Sequence, residues 1–152
     1  MKYRVVLVAT FVLAANILFA QDEITDDELK KYAIAMDSIG DMKMSLLADI
    51  SEMVKANTEM RNDRYNELSK IITDDAKLAE AKATPEEIAF IKEVAAKKAA
   101  GTAEITQTFQ SLAKEYIGAT SYNKVKKALT SDPEVKSRYQ TFVNELAKGS
   151  VN

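Results

Sequence analysis

The sequence predicts an all-α fold, a four-helix bundle built from two repeated helical hairpins with a short further helix after Pro133. Three observations carry this. Only two prolines and four glycines interrupt the chain. Beyond residue 21 no stretch alternates apolar and polar residues as a half-buried strand would. Apolar residues instead recur at three-four spacing, twice, each time behind the same N-terminal signature.

The first twenty residues read as a secretory signal peptide. Lys2 and Arg4 form a positive start, and Val5 to Ala15 is an apolar run too short to span a bilayer comfortably. Asn16 interrupts it, and Ala20 is a small residue suited to the cleavage position. From Gln21 the chain is strongly polar. The expected product is one exported domain, residues 21–152, in the periplasm or outside the cell, with no membrane span left after cleavage. No cysteine lies at the junction to carry a lipid. The chain has no cysteine anywhere, so export does not serve disulfides.

The first long helix begins at Thr25. Thr25 and Glu28 form a capping box, a threonine hydroxyl and a glutamate three residues on satisfying free backbone amides. Leu29, Tyr32, Met36, Ile39, Leu46, Ile50 and Met53 make its apolar seam, broken only at Lys43. A shorter helix follows, marked by Tyr65, Leu68, Ile71, Ile72 and Leu78. The second long helix starts at Thr84. Pro85 fits the first turn, where its missing amide hydrogen is not needed, and Glu87 completes the box. Its seam runs through Ile88, Ile91, Ala95, Ile105, Phe109, Leu112 and Tyr116, with Thr102 opposite the break at Lys43. Leu46 and Ile105 are the expected buried equivalents. Gly118 is placed to end this helix as a left-handed cap. Tyr122, Val125, Ala128 and Leu129 mark the next helix. Asp132 and Pro133 restart the chain as cap and first residue of the last one, whose apolar face is Val135, Tyr139, Phe142, Val143 and Leu146. Gly149 closes it, and residues 148–152 are expected to fray.

Polar identities make the two hairpins look duplicated, residues 25–78 against 84–135. Tyr65, Asn66, Lys70, Thr73 and Asp75 reappear as Tyr122, Asn123, Lys127, Thr130 and Asp132. One hairpin alone leaves an apolar face bare, and a second copy of similar shape can cover it.

The run Glu28-Leu-Lys-Lys-Tyr32-Ala-x-Ala35, with Tyr122-Asn-Lys-Val-x-x-Ala128 and Ser131-Asp-Pro-Glu-Val135 far downstream, resembles an uncharacterised bacterial family of small exported helical proteins. That family is labelled only as a domain of unknown function. The resemblance covers roughly residues 24–148 and implies export and a helical fold. It implies no reaction, ligand or catalytic residue.

Composition narrows the chemistry. Without histidine or cysteine, the common nucleophile–base pairs and ordinary zinc sites are excluded. No glycine-rich phosphate loop occurs, and nothing in the spacing supports a serine–lysine dyad. Without Lys2 and Arg4, 19 basic and 23 acidic residues remain, a net charge of about −4, which argues against nucleic acid as a partner. Asp22, Glu23, Asp26 and Asp27 read as charge at a helix N-terminus rather than a calcium loop. No catalytic residue, metal ligand or cofactor is therefore expected. The candidate binding surface is the repeated pair Tyr65, Asn66 and Tyr122, Asn123, together with Met42 and Met44 from the methionine-rich first helix. The expected function is interaction or scaffolding, with an envelope component or another protein as partner, and a homodimer among the options. The alternative is a carrier of a small apolar ligand, or an enzyme, with a cavity where Ala95 faces methionines.

Overall fold

The computed structural model describes residues 23–149; the expected signal peptide and residues 150–152 lie outside them. The chain is all-α, as the sequence predicts, with α1 (Asp26–Ala56), α2 (Asn62–Leu68), α3 (Asp75–Glu80), α4 (Pro85–Ser111), α5 (Ala119–Ser131) and α6 (Pro133–Ala147). No helix among the described residues is long and apolar enough to cross a membrane.

Both capping boxes form. The Thr25 amide donates to Glu28 Oε2 at 3.0 Å and the Glu28 amide to Thr25 Oγ1 at 3.2 Å. Thr84 and Glu87 repeat both bonds at the same distances. Asp132 caps α6 by accepting from the Glu134 and Val135 amides. α1 and α4 run antiparallel: Leu46 meets Gly101, and Asp49 pairs with Lys97 at 3.0 Å. At Gly101 the Leu46 side chain lies directly against the α4 backbone. A Cβ there would sit 2.5 Å from Leu46 Cδ1, nearer than real side chains tolerate.

The core is divided between the two ends of this long pair. At one end α5 and α6 pack on the first half of α1, around Leu29, Tyr32, Ala35, Ile117, Val125 and Val135. At the other end α2 and α3 gather on the first half of α4, around Met60, Leu68, Leu78 and Ile91. Residues matched by the repeat take matching places. Met60 and Ile117 are buried, as are Leu68 and Val125, and Leu78 and Val135. Each pair is separated by the same 57 residues in sequence. Between the ends, among the described residues, lies a waist of α1 and α4 alone.

Six expectations need correction. Residues 65–78 form two helices, not one, because the Asp74 side chain accepts from the Lys77 amide and restarts the chain at Asp75. The residue matching the Asp132 cap is accordingly Asp74, not Asp75. Leu46 and Ile105 are half-buried, because no third helix among the described residues covers the waist. Ala95 is exposed and lines an open surface groove instead of an internal cavity. Tyr116 is 41% exposed. α4 passes into a π-helical turn at Leu112–Tyr116, and the wider turn swings the seam out of register. Gly118 then breaks the chain with φ +88° but an extended ψ of 131°, so it is a hinge into α5 rather than a left-handed helical cap. Gly149 does take a left-handed φ, +68°.

Candidate interaction surface

Each end is closed by a latch on the glutamate of a capping box. Glu28 accepts from Ser121 Oγ at 2.8 Å and from Lys124 Nζ at 3.1 Å, so α5 is fastened to the start of α1. Lys124 also donates to the Glu23 carbonyl. Burial pushes the Glu28 carboxyl up, but the Thr25 amide, Ser121 and Lys124 outweigh it and hold the pKa at about 2. At the other end Arg64 grips Glu87 with two nitrogens, at 2.9 and 3.0 Å, and donates to the Ala81 carbonyl and to Glu67. The Arg64 guanidinium and the Thr84 amide hold Glu87 below the usual carboxylate range. A bidentate arginine–carboxylate pair fixes direction as well as charge. Arg64 and Ser121 each stand immediately before a Tyr-Asn pair, so the two latches occupy matching positions with different chemistry.

The Tyr-Asn pairs are kept apart. Tyr122 stacks on Tyr32 (5.5 Å between centroids) and meets Phe109 edge-on (5.7 Å), under the Lys126 ammonium at 5.8 Å. Tyr139 meets Tyr32 edge-on at 5.8 Å. Burial, followed by the neighbouring Tyr122 and Tyr139, pushes the Tyr32 hydroxyl up to about 12. Tyr65 packs edge-on against Phe90 at 6.3 Å. Phe90 and Phe109 are separated by nineteen residues of α4, about 28 Å at the helical rise. Both tyrosines are half-buried packing residues, while Asn66 and Asn123 are exposed beside them. The two pairs therefore do not converge on one ligand.

The methionines separate as well. Met42 is half-buried in a furrow with Leu46, Gly101 and Ile105. Met44 points outward and is 67% exposed. Leu47, which the sequence pattern left unremarked, is 60% exposed. Across the waist, α4 offers an open groove of about 890 Å³, lined by Ala95, Ala99, Ala103, Thr102 and Thr106 and reaching Tyr65 and Ile72. Its small residues were in the sequence, but an alanine stripe signals a groove only once it is known that no helix lies on it.

Two residues of the acidic N-terminal cluster, Asp26 and Asp27, are partnered. Asp26 accepts from Arg138, which also donates to the Ile24 carbonyl, and Asp27 pairs with Lys31 at 2.9 Å. Asp22 lies outside the described residues. Among the described residues no group of three or more metal-type donors comes together.

No family model matches the chain, and neither a curated protein nor a solved structure does. The family resemblance rests on its quoted residues alone.

Proposed function

We propose that this chain is an exported interaction or scaffolding protein of the bacterial envelope, acting without catalysis, and related to the helical family it resembles. The observation that carries the reading is the waist. Two long helices are fastened at both ends by latches and three-helix packing, yet are left bare between them. Met44 and Leu47 stand in water on α1 and an alanine-floored groove lies open on α4. Large apolar side chains grouped on an otherwise polar surface mark contact sites more often than chance exposure. The latched ends hold the two waist helices in a fixed geometry, which lowers the entropy lost on docking. The Tyr-Asn pairs contribute by packing the ends, with Asn66 and Asn123 at the rim.

Site-specific photocross-linking in the native envelope tests this. A photoreactive residue at Leu47 or Ala99 is expected to give discrete adducts, and one at Lys77 or Lys136, on the end helices, only background. Adducts from the ends with none from the waist overturn the reading.

A further inference from the structure

We infer that the α5–α6 hairpin is an exchangeable arm, kept on its own chain by the one non-helical residue Gly118. With Gly118 in a helical conformation, the arm leaves its own α1 and seats on the α1 of a second copy, which returns its arm in the same way. Three observations carry this, and none depends on the waist being a contact surface.

The first is the connection itself. α4 and its π turn are helical from Pro85 onward, and Ile117 still has helical angles, φ −81° and ψ −39°. α5 resumes at Ala119, with the Tyr122 amide donating to the Gly118 carbonyl at 2.8 Å. Gly118 alone breaks the path, at φ +88° and ψ 131°, a region that only glycine enters readily. A Cβ there would meet nothing within 4 Å. The break is therefore held by backbone conformation and not by packing around it. One residue turning helical joins α4 to α5 and carries the arm away from α1. The matching end has no such pivot. α1 stops at Ala56, and Asn57 fixes the irregular segment after it by accepting from the Glu59 and Met60 amides.

The second is that the arm holds together by itself. α5 and α6 pack on each other. Asp132 fixes the turn between them by capping α6, and Val125 and Val135 share one cluster. Movement at Gly118 therefore carries both helices as a unit.

The third is where the arm lands. Among the described residues, every side-chain hydrogen bond between the arm and the rest of the chain falls on residues 23–28. Ser121 and Lys124 donate to Glu28, Lys124 to the Glu23 carbonyl, and Arg138 to Asp26 and the Ile24 carbonyl. Tyr122 and Tyr139 add their rings to Tyr32. An arm off its own chain leaves Leu29, Tyr32 and Ala35, all buried in the closed form, open to water. The start of α1 in another copy fits the arm because it is the same surface. Reciprocal exchange restores these contacts and closes with twofold symmetry.

Refolding from urea tests the proposal on the chain without residues 1–20, since all the packing described lies within residues 23–149. Isotope-labelled and unlabelled chains are mixed, refolded at micromolar or millimolar concentration, and treated with a carbodiimide. The reagent joins the Lys124 ammonium to the Glu28 carboxylate, which it contacts at 3.1 Å. Dilute refolding is expected to give monomer, with this cross-link inside one isotope. Concentrated refolding should add a dimer in which the cross-link joins labelled to unlabelled chains. Gly118→Ala has room for its methyl group but disfavours the φ, so it should raise the ratio of dimer to monomer at least tenfold. A native chain that gives no dimer at either concentration overturns the proposal. So does a dimer whose Lys124–Glu28 cross-links all stay within one isotope, which would put the interface elsewhere. A Gly118→Ala chain that stays monomeric with native circular dichroism overturns it too. Should that variant fail to fold, the mixed cross-link of the native chain decides alone. Photocross-links at the waist are read separately, so either reading can fall while the other stands.

Discussion

Replacing Glu28 by Gln removes the charge from one latch while keeping its length and its ability to accept a hydrogen bond from Thr25. The Glu28 side chain is 19% exposed and bound by Ser121 and Lys124 of α5. Its carboxyl falls from an ordinary 4.5 to about 2. At about 1.4 kcal/mol per pH unit, that difference is worth about 3 kcal/mol. Because the folded pKa is depressed, the stabilisation is present above about pH 4.5 and is lost as the pH falls toward 2. Urea denaturation of the native chain and Glu28→Gln should differ by about 2–3 kcal/mol at pH 7. The two curves should converge as the acid limb protonates Glu28. A variant that matches the native chain at pH 7, or that keeps its full acid dependence, would refute the latch.

Further outcomes follow from the divided core. Leu68→Ala, at a fully buried site, should cost about 2–5 kcal/mol by denaturant midpoint, and half-buried Leu46→Ala less than about 2 kcal/mol. Gly101→Ala should stabilise α4 by up to about 1 kcal/mol in the Leu46→Ala background, through helix propensity. In the native background the Leu46 clash should erase that gain, which a double-mutant cycle will read. Arg64→Ala should lower amide protection in residues 62–80 and leave residues 119–147 unchanged, because Arg64 joins α2 to α4 and to the end of α3. Residues 25–78 or 84–135 alone should be poorly stable as monomers by circular dichroism, since each latch and each end cluster draws on both halves of the chain.

Much of this architecture was legible in the sequence because its signals are local. The threonine–glutamate boxes, Pro85, and the Asp132–Pro133 restart each depend on residues within one helical turn, and each forms where the spacing places it. The division of the core was not legible. A seam at three-four spacing says which face is apolar, not how many helices cover it. Leu29 and Leu46 share one seam, yet one is fully buried and the other half-exposed, because α5 and α6 reach only the first. The π turn at Leu112–Tyr116 has no sequence signature and moved Tyr116 out of the core. The candidate surface was legible in part. Met44 stands exposed at the waist, whereas Met42 faces the opposite furrow. Tyr65 and Tyr122 are packing residues beside Phe90 and Phe109, which lie about 28 Å apart at the helical rise, with Asn66 and Asn123 exposed beside them. Arg64 and Ser121 could have been marked, since each precedes a repeated pair. Their partners Glu87 and Glu28 lie 23 and 93 residues away, a distance that no local pattern bridges.

The most direct measurement is residue-resolved amide exchange on the dilute chain. Two latched ends joined by a bare waist should show strong protection at residues 29–35 and 88–94, and weaker protection at residues 43–51 and 96–104. Adding the cross-linked partner should slow exchange at the waist and leave the ends as they were. Protection as high at the waist as at the ends in the dilute chain, unchanged by the partner, would contradict the account.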